Sequence, residues 1–269
     1  MSKPDLWKRI FTMIAALAAA LSTATGAAHA GKREKAERLV GAAAETAGYF
    51  ASDSAFEALW DLSDQAKAMV IIPRSIRAGF IFGGSAGDAV MIARDDEGSW
   101  SQPTFMTVGA FSFGFQAGGE ASEIILLVMT NRGMEQLLST SAKLGADLTL
   151  AAGPIGAGAK AQTTDILAFS RSRGLYGGVS LEGAVLKVRH GLNEAYYGAE
   201  VSPIDVIYRG KVYNPSAAVL QNAVFALANR DQATPVFAPL RPVEEGAPQQ
   251  LDGAGASEPY QPEAPQFED

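Results

Sequence analysis

The sequence predicts an α+β domain: a strongly curved, mainly antiparallel, glycine-rich sheet or partial barrel with flanking helices. Three observations carry that expectation. Apolar residues recur at helical spacing near both ends of the central region, the period shortens to that of strands between them, and glycines punctuate those strands.

The elements follow in chain order. Between Lys32 and Ala47, the residues Ala36, Leu39, Val40, Ala43 and Ala47 fall at helical spacing while Lys32, Arg33, Lys35 and Arg38 take other positions, which predicts an amphipathic helix. Ser52 or Asp53 can cap a second helix from about Ser54 to Ala66, with Phe56, Leu59, Trp60 and Leu62 as its apolar stripe. Strands are predicted over Met69–Ile72, Ala78–Phe82, Ala89–Ala93, Phe105–Phe115, Ile124–Met129, Leu148–Ala151 and Ile166–Ser170. Gly83-Gly84, Gly87, Gly98, Gly118-Gly119 and Gly183 read as turns, and glycines inside strands as bulges or bends. Two further helical pieces are expected near Arg132 to Ser141 and Pro215 to Ala228.

The two ends read differently from this body. Lys3, Lys8 and Arg9, the apolar run from Ile10 to Leu21 and the small-residue step Ala28-His29-Ala30 have the order of a secretory signal, so residues 1–30 are expected to be removed after Ala30. That places the product in the periplasm or outside the cell. Residues 231–269 alternate proline with acidic side chains and are expected to be a disordered, solvated tail. The domain is then residues 31–230.

Charge and cysteine narrow the function. The formal charge is −7, but removing the two end segments leaves 18 basic against 20 acidic residues. A near-neutral domain has no global field for nucleic acid, and an anionic ligand must be met by a local patch. There is no cysteine, so neither disulfides nor thiolate metal sites are available.

Catalytic constellations are thin. His190 is the sole histidine after residue 30 and reads as part of a polar turn. Asp95-Asp96-Glu97 reads as a solvated hairpin turn before Gly98. Gly153-Pro154-Ile155-Gly156-Ala157-Gly158 lacks the Lys-Ser or Lys-Thr of a phosphate loop and reads as a turn. Phe111, Phe113 and Phe115 alternate, so they share one strand face, and core packing is a better reading than a lipid slot. Arg74 and Arg77, then Arg171 and Arg173, flank strands; either pair is solvated or grips a phosphate.

One ordered set of segments is more specific: Gln65-Ala66-Lys67-Ala68, Gly83-Gly84-Ser85-Ala86-Gly87, Trp100-Ser101-Gln102-Pro103, Gly153-Pro154-Ile155-Gly156 and Gly174 to Gly183. With Asn193, Tyr196-Tyr197-Gly198 and the Pro215 helix, they resemble the SYLF lipid-binding domain family over nearly the whole domain. Ser122-Glu123 departs from it, since an aspartate is more usual there. The resemblance implies binding to anionic membrane lipids aided by an N-terminal amphipathic helix, actin binding in some fungal members, and no recognised catalysis.

The expectation is therefore a non-catalytic module, without cofactor, that binds anionic phospholipid head groups or a membrane surface in the cell envelope. Its candidate lipid-binding residues are Lys32, Arg33, Lys35, Arg38, Lys67, Arg74, Arg77, Arg171 and Arg173. A structural or protein-interaction module using the proline-rich tail on an envelope protein is the alternative. A carboxylate hydrolase using residues such as Glu123 and Glu182 is the minor one.

Overall fold

The structure, a computed structural model, describes residues 29–79, 82–95, 97–113, 118–152, 164–172 and 181–229. Among them, six α-helices accompany a curled, mostly antiparallel sheet of eight strands that forms a half-barrel, as the sequence predicts.

Helix α1 covers residues 29–52, and α2 (Glu57–Ser63) follows a short 3-10 turn capped by Asp53. Four long strands come next: β1 (Ala68–Gly79), β2 (Phe82–Ala93), β3 (Thr104–Phe113) and β4 (Gly118–Val128). After α3 (Asn131–Leu138) come β5 (Ser141–Lys143), β6 (Leu150–Ala152), β7 (Ile166–Ser172) and β8 (Val185–Val188). Helices α4 (His190–Tyr197), α5 (Pro203–Ile207) and α6 (Ala218–Ala228) close the domain. The strand order is β5-β8-β3-β2-β1-β4-β7-β6, with β6 pairing parallel to β7 and the remaining pairs antiparallel.

The two faces of the sheet are buried differently. One takes Met69, Ile71, Val90, Ile92, Phe105, Ile125, Leu127 and Phe169, which pack with Ala36, Val40, Ala43, Ala47 and Phe50 of α1 and Leu220, Val224 and Leu227 of α6. The other takes the alternate residues, Val70, Ile72, Met91, Met106, Ile124, Leu126 and Val128, under Met134 and Leu137 of α3 and the segments around β5 and β8. Alanine dominates the inner side of α1 and lets the helix axis approach the strands closely.

Several expectations need correction. The predicted strands Met69–Ile72 and, in part, Ala78–Phe82 belong to one strand, β1, which carries Pro73 at its centre. The register shifts there against both neighbours, between Ile71 and Arg74 on the β2 side and between Ile72 and Ser75 on the β4 side. A bulge absorbs the missing N–H of proline, which a regular central strand does not tolerate. Gly83, Gly84 and Gly87 lie inside β2 instead of at turns. At Gly87 the reason is close approach: a Cβ there would stand 2.7 Å from the Arg74 carbonyl oxygen on the bulged strand. Gly98 and Gly183 do turn the chain, with φ of 86° and 80°. His190 opens α4 instead of lying in a polar turn, and β5, β8, α4 and α5 were not anticipated. The expectations for residues 1–28, the glycine segment 153–158, residues 174–180, Phe115 and the tail lie outside the described residues.

Candidate functional site: a cationic belt beside an open sheet end

The bulge at Pro73 decides what the α1 face presents. Continued alternation from Ile71 would put Ser75 and Arg77 on this face; one extra residue instead brings Arg74, Ile76 and Ala78 to it. The ladders fix their neighbours. Arg74 pairs with Asp88, and Asp88 with Thr107; Ile76 stands in a row with Ala86, Gly109 and Ala121; Ala78 stands in a row with Gly84, Phe111 and Gly119.

Beyond the core, this face begins with a belt of charge. Asp88 accepts from Lys35 of α1 at 2.6 Å and from Arg189 at 3.0 Å. Across the sheet, Arg171 lies 3.6 Å from Glu123 and stacks over the ring of Tyr49 of α1 at 4.8 Å. Arg74 is exposed and its side chain makes no hydrogen bond or ion pair among the described residues. The belt thus holds four cations against two carboxylates.

Past the belt the face is apolar and open. Phe111 is 99% exposed and Ile76 49%, and their ladder rows carry Ala78, Gly84, Ala86, Gly109, Gly119 and Ala121. This overturns the core reading of Phe111, although its strand face is the one that also carries the buried Phe105.

The predicted site residues divide accordingly. Lys35, Arg74 and Arg171 come together in the belt. Lys32 lies at the same end of α1, its ammonium next to Gly191. Arg33 pairs with Glu37 and Arg38 with Glu34 on the solvent side of the helix. The apolar side of α1 is committed to the core, so the helix does not offer that side to a membrane. Arg77 is on the opposite sheet face, across from Glu120. Lys67 is apart from these, lining a shallow cavity of about 310 Å³ with Arg94, Asp95, Ser101 and Tyr208. Arg173 lies outside the described residues. Sequence reasoning missed Asp88, Tyr49, Arg189 and Ile76: the bulge turns Ile76 to this face, while Asp88, Tyr49 and Arg189 join the belt through contacts between segments far apart in the chain.

Among the described residues, the Trp100–Pro103 and Asn193–Tyr197 parts of the family resemblance are structural clips. Gln221 donates to the carbonyls of Trp100 and Ser101 at 2.8 and 3.2 Å, and Asn214 N–H donates to Gln102 at 2.9 Å. Tyr197 donates to the Pro103 carbonyl, and Asn193 accepts from Phe105 N–H at 2.9 Å. Burial pushes the phenols of Tyr196 and Tyr197 well above their ordinary value, which keeps both neutral. Glu123 is in the belt, while Glu182 is exposed in the turn against Gly145, so the structure does not join them as a catalytic pair. Among the described residues no cluster of His, Asp and Glu could hold a metal ion, and no helix is long and apolar enough to cross a membrane.

Comparisons with known proteins agree on one family. Residues 109–227 match the family described as "Ysc84: Las17-binding protein actin regulator". The chain is 30% identical over 201 residues to an SH3 domain-containing protein of Schizosaccharomyces pombe, covering 68% of this chain and 46% of that one. It is 27% identical over 212 residues to SH3 domain-containing YSC84-like protein 1 of Homo sapiens, covering 75% and 61%. With Protein YSC84 of Saccharomyces cerevisiae it shares 29% over 180 residues, covering 62% and 38%. The chain therefore spans roughly half the length of the curated relatives it matches. No solved structure matches it.

Proposed function

We propose, from the premise that this chain carries a domain of the Ysc84 (SYLF) family, that it docks on anionic lipid surfaces. A non-catalytic binding role is what the family supports. The observation that carries the lipid reading is the belt. In a domain of nearly balanced charge, four cations and two carboxylates converge on one open sheet face, and Arg74 is left without an internal acceptor among the described residues. Guanidinium groups suit phosphate oxygens, and each cation held at an anionic surface contributes about 1 kcal/mol. In the envelope location that residues 1–30 predict, the target is the acidic phospholipid of a bilayer.

A protein-binding reading is also supported, because the family description names Las17 binding and actin regulation. Co-sedimentation of the chain from Gly31 with vesicles separates the two. Pelleting with acidic vesicles alone, weakened by salt, is the expected result. Absence of pelleting with any vesicle removes the lipid reading in favour of a protein partner.

A further inference from the structure

The belt accounts for charge but leaves the open apolar end of the sheet without a role. Two large apolar side chains, Ile76 and Phe111, rise from a floor of Ala78, Gly84, Ala86 and Gly109, and no helix of the described residues covers them. Exposure of this kind on a strand is an aggregation hazard unless something covers it. Resting on the lipid reading above, we infer that this end of the sheet enters the bilayer, with Ile76 and Phe111 in the hydrocarbon edge and Arg74 with its belt at the level of the phosphates.

Three observations select a bilayer as the occupant. The border of the patch is cationic on the α1 face, because Asp88 is held by Lys35 and Arg189 and Glu123 by Arg171, which leaves Arg74 in excess. The border also carries Tyr49, 44% exposed beneath the Arg171 guanidinium, an amphipathic ring suited to the headgroup layer. The dimensions agree as well. Four residues separate the belt row at Thr107 from Phe111, about 13 Å at the rise of a strand. A headgroup layer is about 5–7.5 Å deep on each side of the hydrocarbon, so a belt among phosphates carries Phe111 past the boundary. Helix α1 cannot do this, since Val40, Ala43, Ala47 and Phe50 are at most 1% exposed.

The chain has no cysteine, so Phe111→Cys provides a unique attachment point for an environment-sensitive dye, and Glu45→Cys, exposed on α1, provides a second. The full chain, labelled at either position, is mixed with vesicles of phosphatidylcholine and phosphatidylglycerol, with and without bromine on the acyl chains. Dye at 111 is expected to shift to the blue and to be quenched by the bromines, while dye at 45 does neither. Phe111→Asp, with unchanged circular dichroism, is expected to lower vesicle partitioning about tenfold. If the labelled chain binds these vesicles and dye at 111 stays in water, the insertion is wrong and the lipid reading stands. Failure of the unlabelled wild type to bind any vesicle overturns both. If sedimentation shows a lipid-free dimer that Phe111→Asp dissociates, the patch is covered by a second copy and the inference falls.

Discussion

The α1 face of the sheet has two halves that share strands, alternation and pairing, yet one is core and the other is open. In the near half, Ile71, Val90, Phe105 and Ile125 meet the alanine side of α1 and are fully buried. In the far half, the same ladders carry glycine and alanine, with Ile76 and Phe111 standing out from them. The difference teaches that a strand's alternation assigns a side chain to a face without saying what covers that face. Cover comes from elements far away in sequence, and here α1 stops at the charged belt.

The sharpest way to break this comparison is to delete one aromatic ring from each half. Phe105→Ala removes a fully buried ring that packs edge-on against Tyr196 at 5.0 Å, and is expected to cost about 3–5 kcal/mol in chemical denaturation. Phe111→Ala, on the same strand and face, is expected to change stability by less than about 0.5 kcal/mol. Equal losses would mean that the far half is covered in solution.

The bulge separates the halves, so Gly87→Ala tests the joint between them. Its Cβ would meet the Arg74 carbonyl oxygen at 2.7 Å and the Ile72 side chain at 3.0 Å. Backbone cannot swing aside as a flexible side chain can, so a loss of about 1–3 kcal/mol is expected in thermal melts. Gly109→Ala, where the nearest atom is 3.8 Å away, is the control and is expected to be tolerated far better.

These same residues show how much was legible. The helical stripe of α1 was readable because Ala36, Val40, Ala43 and Ala47 keep one period across about three turns, and the run from Ile124 to Val128 was readable because a strand buried on both faces is continuously apolar. Met69–Ile72 and Ala78–Phe82 were read as separate strands because a bulge and a break look alike until both neighbouring strands are placed. Gly87 was read as a turn because the sequence does not distinguish a glycine that bends the chain from one that makes room. Helix α5 was missed despite its signature: Ser202 and Asp205 form a reciprocal capping box with Pro203 at the first helical position. At the site, residue type picked out Lys35, Arg74 and Arg171, but Asp88, which gathers Lys35 and Arg189, is one ordinary carboxylate in a run of small residues.

A smaller effect is expected in the belt itself. Asp88→Asn leaves Lys35 and Arg189 without their carboxylate, and since all three side chains are between 25% and 43% exposed, solvent screens most of the loss. About 1 kcal/mol is expected, together with tighter binding to acidic vesicles, because two cations are freed while the belt gains positive charge. Weaker vesicle binding would show that Asp88 orders the belt instead of opposing it.

The packed end of the sheet uses its buried carboxylate differently. Asp165 is 4% exposed; one of its oxygens accepts from Thr130 at 2.5 Å, and the other accepts from the Thr149 N–H and hydroxyl at 3.0 and 2.9 Å. Burial pushes its carboxyl up, but these hydrogen bonds and the Arg132 guanidinium outweigh that and hold it below the ordinary 3.8. A folded-state value below the unfolded one stabilises the fold above the unfolded value, and that contribution is lost as pH falls through the folded one. The melting temperature of wild type is therefore expected to exceed that of Asp165→Asn between pH 5 and 7, by about the same margin across that range, and the margin is expected to shrink steadily below about pH 4. Thr130 also accepts the Gly133 N–H that opens α3, so the acid loss should appear first in exchange of the α3 amides. Exchange that begins instead in β2 and β3, near Phe111, would place the acid-sensitive joint in the open half.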